Sequence, residues 1–257
     1  MKRAICFFSG TGNAYYVASK IHSRFPDTSL FFIPSIDPKS LAIFDEIGIV
    51  TPVYGFGLPK IVRKFIEGMT FVGNPRIYAI FVCGGGPGIS SDLTVQALQK
   101  NAKVLAYHDY VIMPDNFILM YKVDEAHNQL MLQAAEIKID TILTNLGQQM
   151  TLKFCPHIFG FLKWFQKLAA RFFNSTSKHY VVTGCVGCMK CVKLCPVENI
   201  IFKEKTVVFG NRCTGCLGCI NICPIQAINY RKRTQKNGRY FNPFVDYQAI
   251  KDCLKRK

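Results

Sequence analysis

The stretch that decides the fold of the second half of the chain reads TGCVGCMKCVKLCPVENI at residues 183–200, and its counterpart reads NRCTGCLGCINICPIQAI at residues 211–228. Each stretch spaces four cysteines as C-x2-C-x2-C-x3-C and places a proline directly after the fourth. The second copy follows the first with an offset of 28 residues. The two copies hold eight of the 12 cysteines in the chain, which indicates a repeated metal-binding loop.

The cysteine spacing indicates iron–sulfur chemistry. Each iron of a [4Fe-4S] cluster takes one thiolate, and three cysteines at intervals of two residues can reach three irons from one loop. A structural zinc site uses two separated cysteine pairs rather than four cysteines within 11 residues. Disulfides would need an oxidising compartment, and the chain shows no secretory signal. We therefore predict two [4Fe-4S] clusters and a reducing, cytoplasmic location.

Residues from about 180 to 230 resemble a bacterial-type ferredoxin with two [4Fe-4S] clusters. In that family the fourth cysteine of each run binds the other cluster. The resemblance therefore implies a crossed arrangement, in which cluster one takes Cys185, Cys188, Cys191 and Cys223, and cluster two takes Cys213, Cys216, Cys219 and Cys195. Small residues beside the cysteines suit loops whose amides approach the inorganic sulfurs, and these are Gly184, Gly187, Gly215 and Gly218.

The N-terminus has the pattern of a strand, a glycine-rich loop and a helix. The apolar run from Arg3 to Phe8 precedes Ser9-Gly10-Thr11-Gly12-Asn13, and a helix-like stretch follows from Ala14 to Phe25. Such a loop can bind phosphate through its free amides and the helix dipole. The lysine-containing P-loop motif is absent, and no third glycine completes a dinucleotide fingerprint. An ordinary strand-to-helix turn is the alternative.

This loop resembles the FMN phosphate loop of flavodoxins, in which hydroxyls and backbone amides take the place of a lysine. The resemblance implies that the phosphate of FMN contacts Ser9, Gly10, Thr11, Gly12, Asn13 and Ala14. Flavodoxins usually carry Thr or Ser where this chain has Ala14, so one side-chain donor is missing. We expect Asn13 and the backbone amides to carry more of the phosphate binding.

Apolar runs and helix-like segments alternate through the first 150 residues. The apolar runs are Leu30–Ile33, Ile47–Val53, Ile77–Val82 and Val104–Met113, and the helix-like segments are Lys60–Glu67, Leu93–Asn101 and Glu125–Leu146. Near-continuous apolar strands separated by helices predict a parallel sheet that is covered on both faces. We predict an α/β fold, with a flavodoxin-like doubly wound five-stranded parallel sheet of order 2-1-3-4-5, followed by a small α+β ferredoxin-like domain.

The ligand of such a sheet binds at the carboxyl ends of the strands, which selects two more loops. Strand three leads into Pro52-Val53-Tyr54-Gly55-Phe56-Gly57, and strand four into Cys83-Gly84-Gly85-Gly86. In flavodoxins the corresponding loops enclose the isoalloxazine ring, so the resemblance implies that Tyr54, or else Phe56, stacks on the flavin. Packing without a ligand is the alternative for both aromatics. Cys83 also suits the role of a small buried apolar side chain.

The order of these segments resembles the flavodoxin–ferredoxin fusion family, found mainly in anaerobic bacteria and archaea. The predicted division is a flavodoxin-like FMN-binding domain (1–150), an amphipathic basic helical linker (151–179), a two-[4Fe-4S] ferredoxin domain (180–235) and a basic C-terminal tail (236–257). Within the linker, Lys163, Lys167 and Arg171 form a basic stripe among apolar and aromatic residues between His157 and Phe173. This segment either packs the two domains together, which we favour, or lies in a membrane interface.

The positive charge is concentrated in the second part of the chain. Residues 151–257 carry 19 Lys and Arg against four Asp and Glu, whereas residues 1–150 carry 13 against 12. Such a surface favours docking of an acidic redox partner protein. Peripheral contact with an anionic membrane and a solvated tail without a partner are the alternatives. Nucleic acid is disfavoured, because no recognised DNA- or RNA-binding module accompanies the basic runs.

The predicted cofactors indicate electron transfer. FMN handles one or two electrons and each cluster handles one, so a chain that holds both can convert between single electrons and pairs. We therefore predict an electron carrier, with a flavin-dependent reductase of a small acceptor as the alternative. A redox sensor or assembly factor whose basic tail contacts a target is a third, less favoured interpretation. We find no Ser-His-Asp set and no paired carboxylates that suggest acid–base catalysis.

Overall fold

The computed structural model describes residues 1–152, 164, 168–169, 176–231 and 233–254. Most of the predicted linker (151–179) lies outside the described residues, and so does the amphipathic segment from His157 to Phe173 apart from three positions within it. None of the described helices is both long enough and apolar enough to span a bilayer.

A five-stranded sheet forms the centre of the first domain. Its strands are β1 (Arg3–Phe7), β2 (Thr28–Phe32), β3 (Glu46–Pro52), β4 (Arg76–Cys83) and β5 (Tyr107–Ile112). They run parallel in the order β2-β1-β3-β4-β5, which confirms the predicted flavodoxin-like sheet. The three inner strands are almost wholly buried, because elements cover both faces of a parallel sheet.

In the described part of the first domain, three helices pack on this sheet from the segments that connect its strands, and a fourth follows β5. They are α1 (Asn13–Arg24), α2 (Lys60–Glu67), α3 (Ser90–Gln99) and α4 (Glu125–Gly147). Helix α1 packs with α4, and α2 packs with α3. Asp124 begins α4 as its N-cap, with a side chain that accepts a hydrogen bond from the backbone N–H of His127 at 3.0 Å.

One ion-pair cluster closes the amino end of the sheet, away from the predicted cofactor loops. Glu46 is buried at the start of β3 and accepts a hydrogen bond from Arg76 at 2.8 Å. The second carboxylate oxygen of Glu46 lies 3.1 Å from the Arg3 guanidinium. A buried carboxylate needs such partners, because its desolvation is otherwise uncompensated.

The cysteine-rich region contains two small antiparallel sheets. Strand β6 (Tyr180–Val182) pairs with β9 (Ile228–Tyr230), and β7 (Ile200–Lys203) pairs with β8 (Thr206–Phe209). The short helices α5 (Lys190–Leu194) and α6 (Gly218–Ile222) lie within the two cysteine runs. This arrangement confirms a small α+β region after the flavodoxin-like sheet.

The sequence repeat reappears in the backbone of the cysteine loops. Gly187 and Gly215 both adopt left-handed conformations with φ of 69°. Met189 and Leu217, which precede the two short helices, are also left-handed, with φ of 62° and 56°. Within each pair the two residues are 28 positions apart, which is also the offset between the two cysteine runs. The two loops are therefore structural copies of each other.

Residues 236–257 are predicted from their composition only as a basic tail, but much of this segment is folded. It returns across the first domain and ends in α7 (Tyr247–Leu254). Val245 and Ile250 are buried, and the ring of Phe244 packs on Tyr16 of α1 with 5.5 Å between ring centroids. These apolar residues are interspersed with charged ones, so the composition of the segment concealed its packing face.

Candidate cofactor sites

The eight cysteines of the two runs come together in two groups. The first cysteine group lines one cavity and consists of Cys185, Cys188, Cys191 and Cys223; the second lines another and consists of Cys195, Cys213, Cys216 and Cys219. Each group therefore combines three cysteines of one run with the fourth of the other. Within the described residues, no three His, Cys, Asp or Glu side chains converge on a point for one metal ion. Each cysteine group instead surrounds a space, as the separate irons of a cluster require.

Backbone amides point at the fourth cysteine of each run. The backbone nitrogen of Asn199 lies 3.2 Å from the Sγ atom of Cys195, and that of Ala227 lies 3.2 Å from the Sγ atom of Cys223. The two contacts repeat the 28-residue offset of the cysteine pattern. Amide N–H groups stabilise negative charge on sulfur, so this environment fits the thiolates of a reducible centre.

Burial keeps the free thiols of two of the cysteines neutral. Burial raises the pKa of Cys191 in the first group to about 11. In the second group, burial raises the pKa of Cys216 to about 12. A thiol with such a pKa is protonated at neutral pH, so it becomes a ligand only when a metal displaces its proton. Cys188 is exposed, so one edge of the first cysteine group lies at the surface.

The Ser9–Asn13 loop joins the carboxyl end of β1 to α1. Gly12 is left-handed, with φ of 97°, and no side chain caps the first turn of α1. Ser9 and Thr11 are buried, and the Ser9 hydroxyl accepts a hydrogen bond from the Gly12 N–H at 3.1 Å. Helix amides without a side-chain cap, with hydroxyls beside them, fit the oxygen atoms of a phosphate.

Two predicted phosphate contacts, Asn13 and Ala14, are used differently from the flavodoxin pattern. Asn13 Nδ2 donates to the Pro114 carbonyl at 2.9 Å. Asn13 Oδ1 accepts from Tyr240 Oη at 2.7 Å and from Asn242 Nδ2 at 2.9 Å. A contribution of Asn13 to phosphate binding would therefore come from its backbone amide. Ala14 is buried, and its methyl group packs in the core of the first domain.

The loop after β3 forms a tight turn that holds Tyr54. The Tyr54 N–H donates to the Gly57 carbonyl at 2.8 Å, and the Gly57 N–H donates back at 3.2 Å. Between them, Gly55 and Phe56 have φ of 55° and 64°, as in a two-residue hairpin turn with two left-handed positions. The Tyr54 side chain is buried with its ring edge-on to Phe8, whereas Phe56 is half exposed. The turn thus fixes Tyr54 more firmly than Phe56.

A cavity of about 910 Å³ lies between this turn and the glycine-rich loop after β4. Val53, Tyr54 and Gly84 line it, and they also line a smaller cavity beside the Ser9–Asn13 loop. No atoms occupy the space that side chains would fill at positions 85 and 86, so a flat ring can approach that backbone closely. A ligand with a phosphate at one end and a flat ring at the other would extend through both cavities. The residues present therefore fit FMN.

Pro52 and Cys83 form neutral parts of the cavity walls. Pro52, the last residue of β3, lines the smaller cavity, and Cys83 lines both. The Cys83 Sγ atom lies 3.8 Å from the Val111 carbonyl. Burial raises the pKa of Cys83 to about 12, so its thiol is uncharged at neutral pH. The geometry gives Cys83 the role of a wall residue.

Asp115 and Asn116, which follow β5, also line both cavities, although neither is among the predicted site residues. A side chain at Gly84 would come within 2.8 Å of the Asp115 carboxylate. Enclosure by the protein raises the pKa of Asp115, although the carboxylate is open to the larger cavity. Asn116 Nδ2 donates to Thr11 Oγ1 at 3.0 Å. The rule that ligands bind at the carboxyl ends of strands applies to β5 as well and could have found both residues.

The second cysteine group lies directly against the Ser9–Asn13 loop. A side chain at Gly10 would collide with the carbonyl of Cys216. A side chain at Gly218 would in turn come within 2.6 Å of the Gly10 carbonyl. Burial raises the pKa of Tyr54 well above its usual value, and the negative charge that Cys216 carries as a thiolate adds to the rise. The second cysteine group and the turn that holds Tyr54 are therefore neighbours across the domain boundary.

Comparison with known proteins gives one family match and several structural similarities. Residues 178–237 match the family described as "4Fe-4S dicluster domain". No curated protein sequence gives a significant match. The structure is similar to Megasphaera elsdenii flavodoxin, with 22% identity over 44% of this chain and 88% of that one and a TM-score of 0.39. It is also similar to Streptococcus pneumoniae TIGR4 flavodoxin, with 14% identity over 52% and 94% of the two chains and a TM-score of 0.38.

A Lactobacillus acidophilus flavoprotein in complex with FMN is a further similar structure. Its identity is 14% over 42% of this chain and 94% of that one, with a TM-score of 0.32. Since all three scores are low, the fold assignment depends on the strand order of the sheet rather than on these similarities. The chain thus combines a flavodoxin-like sheet with an iron–sulfur segment.

Proposed function

We propose that this protein transfers electrons between two [4Fe-4S] clusters and FMN within one chain. The observation that carries the proposal is the contact of the second cysteine group with the candidate phosphate loop, where Cys216 packs on Gly10. Each cluster supplies one-electron chemistry when bound, and FMN supplies one- or two-electron chemistry. The task of the chain is to hold these groups at fixed separations and in a suitable electrostatic environment.

The chain's residues divide this task between them. The two cysteine groups act as the thiolate ligands, in the crossed arrangement that the cavities suggest. Ser9, Thr11 and the first amides of α1 hold the phosphate. Tyr54 covers one face of the flavin, while the glycine-rich loop after β4 brings backbone groups close to the ring. Val53 and Cys83 restrict water at the cavity wall.

The exposed side of the first cysteine group is the proposed point of electron exchange with a partner. Cys188 is exposed there, and the apolar side chains of Val186 and Ile225 are also exposed beside it. Lys190 and Lys193 lie on the adjacent surface of α5. An apolar patch with nearby lysines suits transient docking of an acidic redox protein, because opposite charges steer the encounter. We place this exchange in the reducing cytoplasm.

Cofactor content and electron capacity test the proposal together. Protein purified without oxygen should contain about eight iron atoms and one FMN per chain, and it should accept about four electrons in a reductive titration. An iron content near four atoms, or the lack of bound flavin after incubation with FMN, would overturn this cofactor set.

A second candidate function is reduction of a small acceptor at the flavin. The observation that favours it is the 910 Å³ cavity, which is near the upper end of the size range of small-molecule sites. Exposed Arg233 lines this cavity, and no ion pair joins its guanidinium to another described residue. An anionic aromatic acceptor would suit such a site. If Arg233 binds the acceptor's negative charge, Arg233→Ala should raise KM for an aromatic carboxylate and leave KM for a neutral quinone unchanged. Equal changes in the two KM values would argue against a role of Arg233 in acceptor binding.

A further inference from the structure

A set of uncharged polar side chains links the two domains at the candidate phosphate loop. We call Asn13, Asn116, Asn221, Tyr240 and Asn242 the interdomain network. Its first half connects the C-terminal segment to the first domain. Asn13 Oδ1 accepts hydrogen bonds from Tyr240 Oη at 2.7 Å and from Asn242 Nδ2 at 2.9 Å. The backbone N–H of Asn242 donates to the Thr11 carbonyl at 2.8 Å.

The second half of the interdomain network connects the phosphate loop to α6. Asn116 Nδ2 donates to Thr11 Oγ1 at 3.0 Å and lies 3.5 Å from the carbonyl of Cys216. Asn221 Nδ2 donates to the Asn116 carbonyl at 3.1 Å, and Asn221 Oδ1 accepts from the Tyr240 N–H at 2.9 Å. Asn221 lies between Cys219 and Cys223 in the sequence. The network therefore extends from the phosphate loop to residues beside ligands of both cysteine groups.

Burial makes the geometry of these contacts specific. Asn221, Tyr240 and Asn242 are 4%, 5% and 1% exposed. A buried polar group without a partner is costly, so each side chain is held where its hydrogen bonds are satisfied. Apolar packing would tolerate sliding of one domain over the other, whereas these directional bonds do not. A side chain at Gly12 would also approach Asn242 to 3.0 Å, so this glycine permits the close contact.

The hydrogen-bond partners of the Asn13 side chain show whether it is free to bind phosphate or instead links the phosphate loop to the C-terminal segment. As a phosphate ligand, the side chain would point into the cavity beside the loop. In this structure its amide nitrogen and its oxygen are both occupied by protein partners, and two of the three partners belong to the C-terminal segment. The side chain therefore joins the phosphate loop to the segment that packs over it.

We infer that Asn13, Tyr240 and Asn242 are positioning residues, which fix the second cysteine group relative to the flavin site. The inference rests on the proposed electron transfer. Loss of these hydrogen bonds should let the loop of Cys216 move relative to the phosphate loop. Electron transfer between the domains should then slow, while each cofactor is still bound by its own ligands.

Tyr240→Phe and Asn242→Ala test the inference in fully loaded protein. Tyr240→Phe keeps the buried ring and removes only the hydroxyl. The matched control is Asn145→Ala, which removes a hydrogen bond of 3.1 Å to Tyr107 within the first domain. The measurements are iron content, FMN dissociation constant, amide hydrogen exchange in residues 9–13 and the rate of cluster-to-flavin electron transfer at saturating FMN.

We expect both variants to keep their iron and to bind FMN within about threefold of the unsubstituted protein. Their transfer rate should fall roughly tenfold or more, because small displacements of reacting groups have large effects on rate. Exchange in residues 9–13 should increase, and Asn145→Ala should change neither quantity. Unchanged rate and exchange in Asn242→Ala would overturn the inference. If FMN affinity falls while the rate at saturating FMN is normal, Asn13 and its partners serve flavin binding instead. If the unsubstituted protein transfers no electrons, the proposed function itself fails.

Discussion

The two regions of this protein obtain their stability in different ways. Among the described residues, the core of the flavodoxin-like domain contains 40 buried apolar side chains, packed around a parallel sheet. The core cluster of the cysteine-rich region contains nine; Ile118 and Leu119 of the first domain supply two of these, and another is Cys191 of the first cysteine group. A small region with so few apolar contacts usually needs a metal centre or disulfides to remain folded. We therefore expect the flavin to occupy a fold that is already complete in the first region, and the clusters to complete the fold in the second.

The largest expected effect is therefore that of removing iron. Chelation should unfold β7, β8 and the cysteine loops, because metal binding supplies the folding free energy of such sites. The inner strands of the flavodoxin-like sheet should stay folded. Amide hydrogen exchange measures both regions in one experiment, and a chelator saturated with iron is the control. Equal protection in the two regions after chelation would show that the second region folds without its metal.

The second prediction separates the two cysteine groups. Cys195→Ser should remove roughly half of the iron, because the serine replaces a ligand of only one cluster. Adding Cys216→Ser should cause little further loss, since both cysteines belong to the second group. Adding Cys188→Ser should instead remove most of the remaining iron. Iron and sulfide counts check this, and the reverse pattern of losses would contradict the crossed arrangement.

The third prediction concerns the domain that folds on its own core. Glu46→Gln should lower the free energy of unfolding of the sheet by about 3 kcal/mol, because it leaves two arginines at a buried site without their carboxylate. Glu67→Gln is the matched control at a more exposed site, where Glu67 pairs with Arg63 and Lys100, and it should cost less than about 1 kcal/mol. Denaturant unfolding followed by circular dichroism measures both variants. Similar losses of unfolding free energy in Glu46→Gln and Glu67→Gln would show that the buried ion pairs contribute no more to stability than the more exposed ones.

The smallest effect on stability should come from Gly85→Ala, which tests the placement of the flavin. A methyl group at this position meets no protein atoms within 4 Å, so the fold should tolerate it. If a flavin ring lies against this backbone, FMN affinity should fall roughly tenfold, equivalent to about 1.4 kcal/mol. Fluorescence titration with FMN measures the affinity, and iron content serves as the control. Unchanged affinity would place the ring elsewhere in the cavity.

The sequence predicted those features that depend on local pattern. Near-continuous apolar runs predicted the parallel sheet, since buried parallel strands require them, and the resemblance to flavodoxins predicted its strand order. The repeated cysteine spacing predicted repeated loops, and the left-handed pairs such as Met189 and Leu217 share that repeat. Tyr54 and the glycine-rich loop after β4 line one cavity because both follow inner strands of the sheet.

The sequence did not predict contacts between distant segments. Nothing local indicates that Asn242 reaches Asn13, since 229 residues separate them and neither lies in a pattern that specifies a partner. The basic composition of the last 22 residues concealed the buried Val245 and Ile250. The glycine-rich loop predicts a phosphate contact at Gly10, and nothing in the loop indicates that Cys216 also approaches this glycine closely. Such contacts depend on tertiary packing, which no single segment encodes.

The most direct test of the central claim is the order and concentration dependence of cofactor reduction. Fully loaded protein is mixed without oxygen with less than one equivalent of a low-potential one-electron donor, and absorbance is followed in the cluster and flavin bands. If electrons pass within the chain, the clusters should bleach first and then recover as the flavin is reduced, at a rate independent of protein concentration. A flavin that stays oxidised beside reduced clusters, or a rate that increases with protein concentration, would contradict electron transfer within the chain.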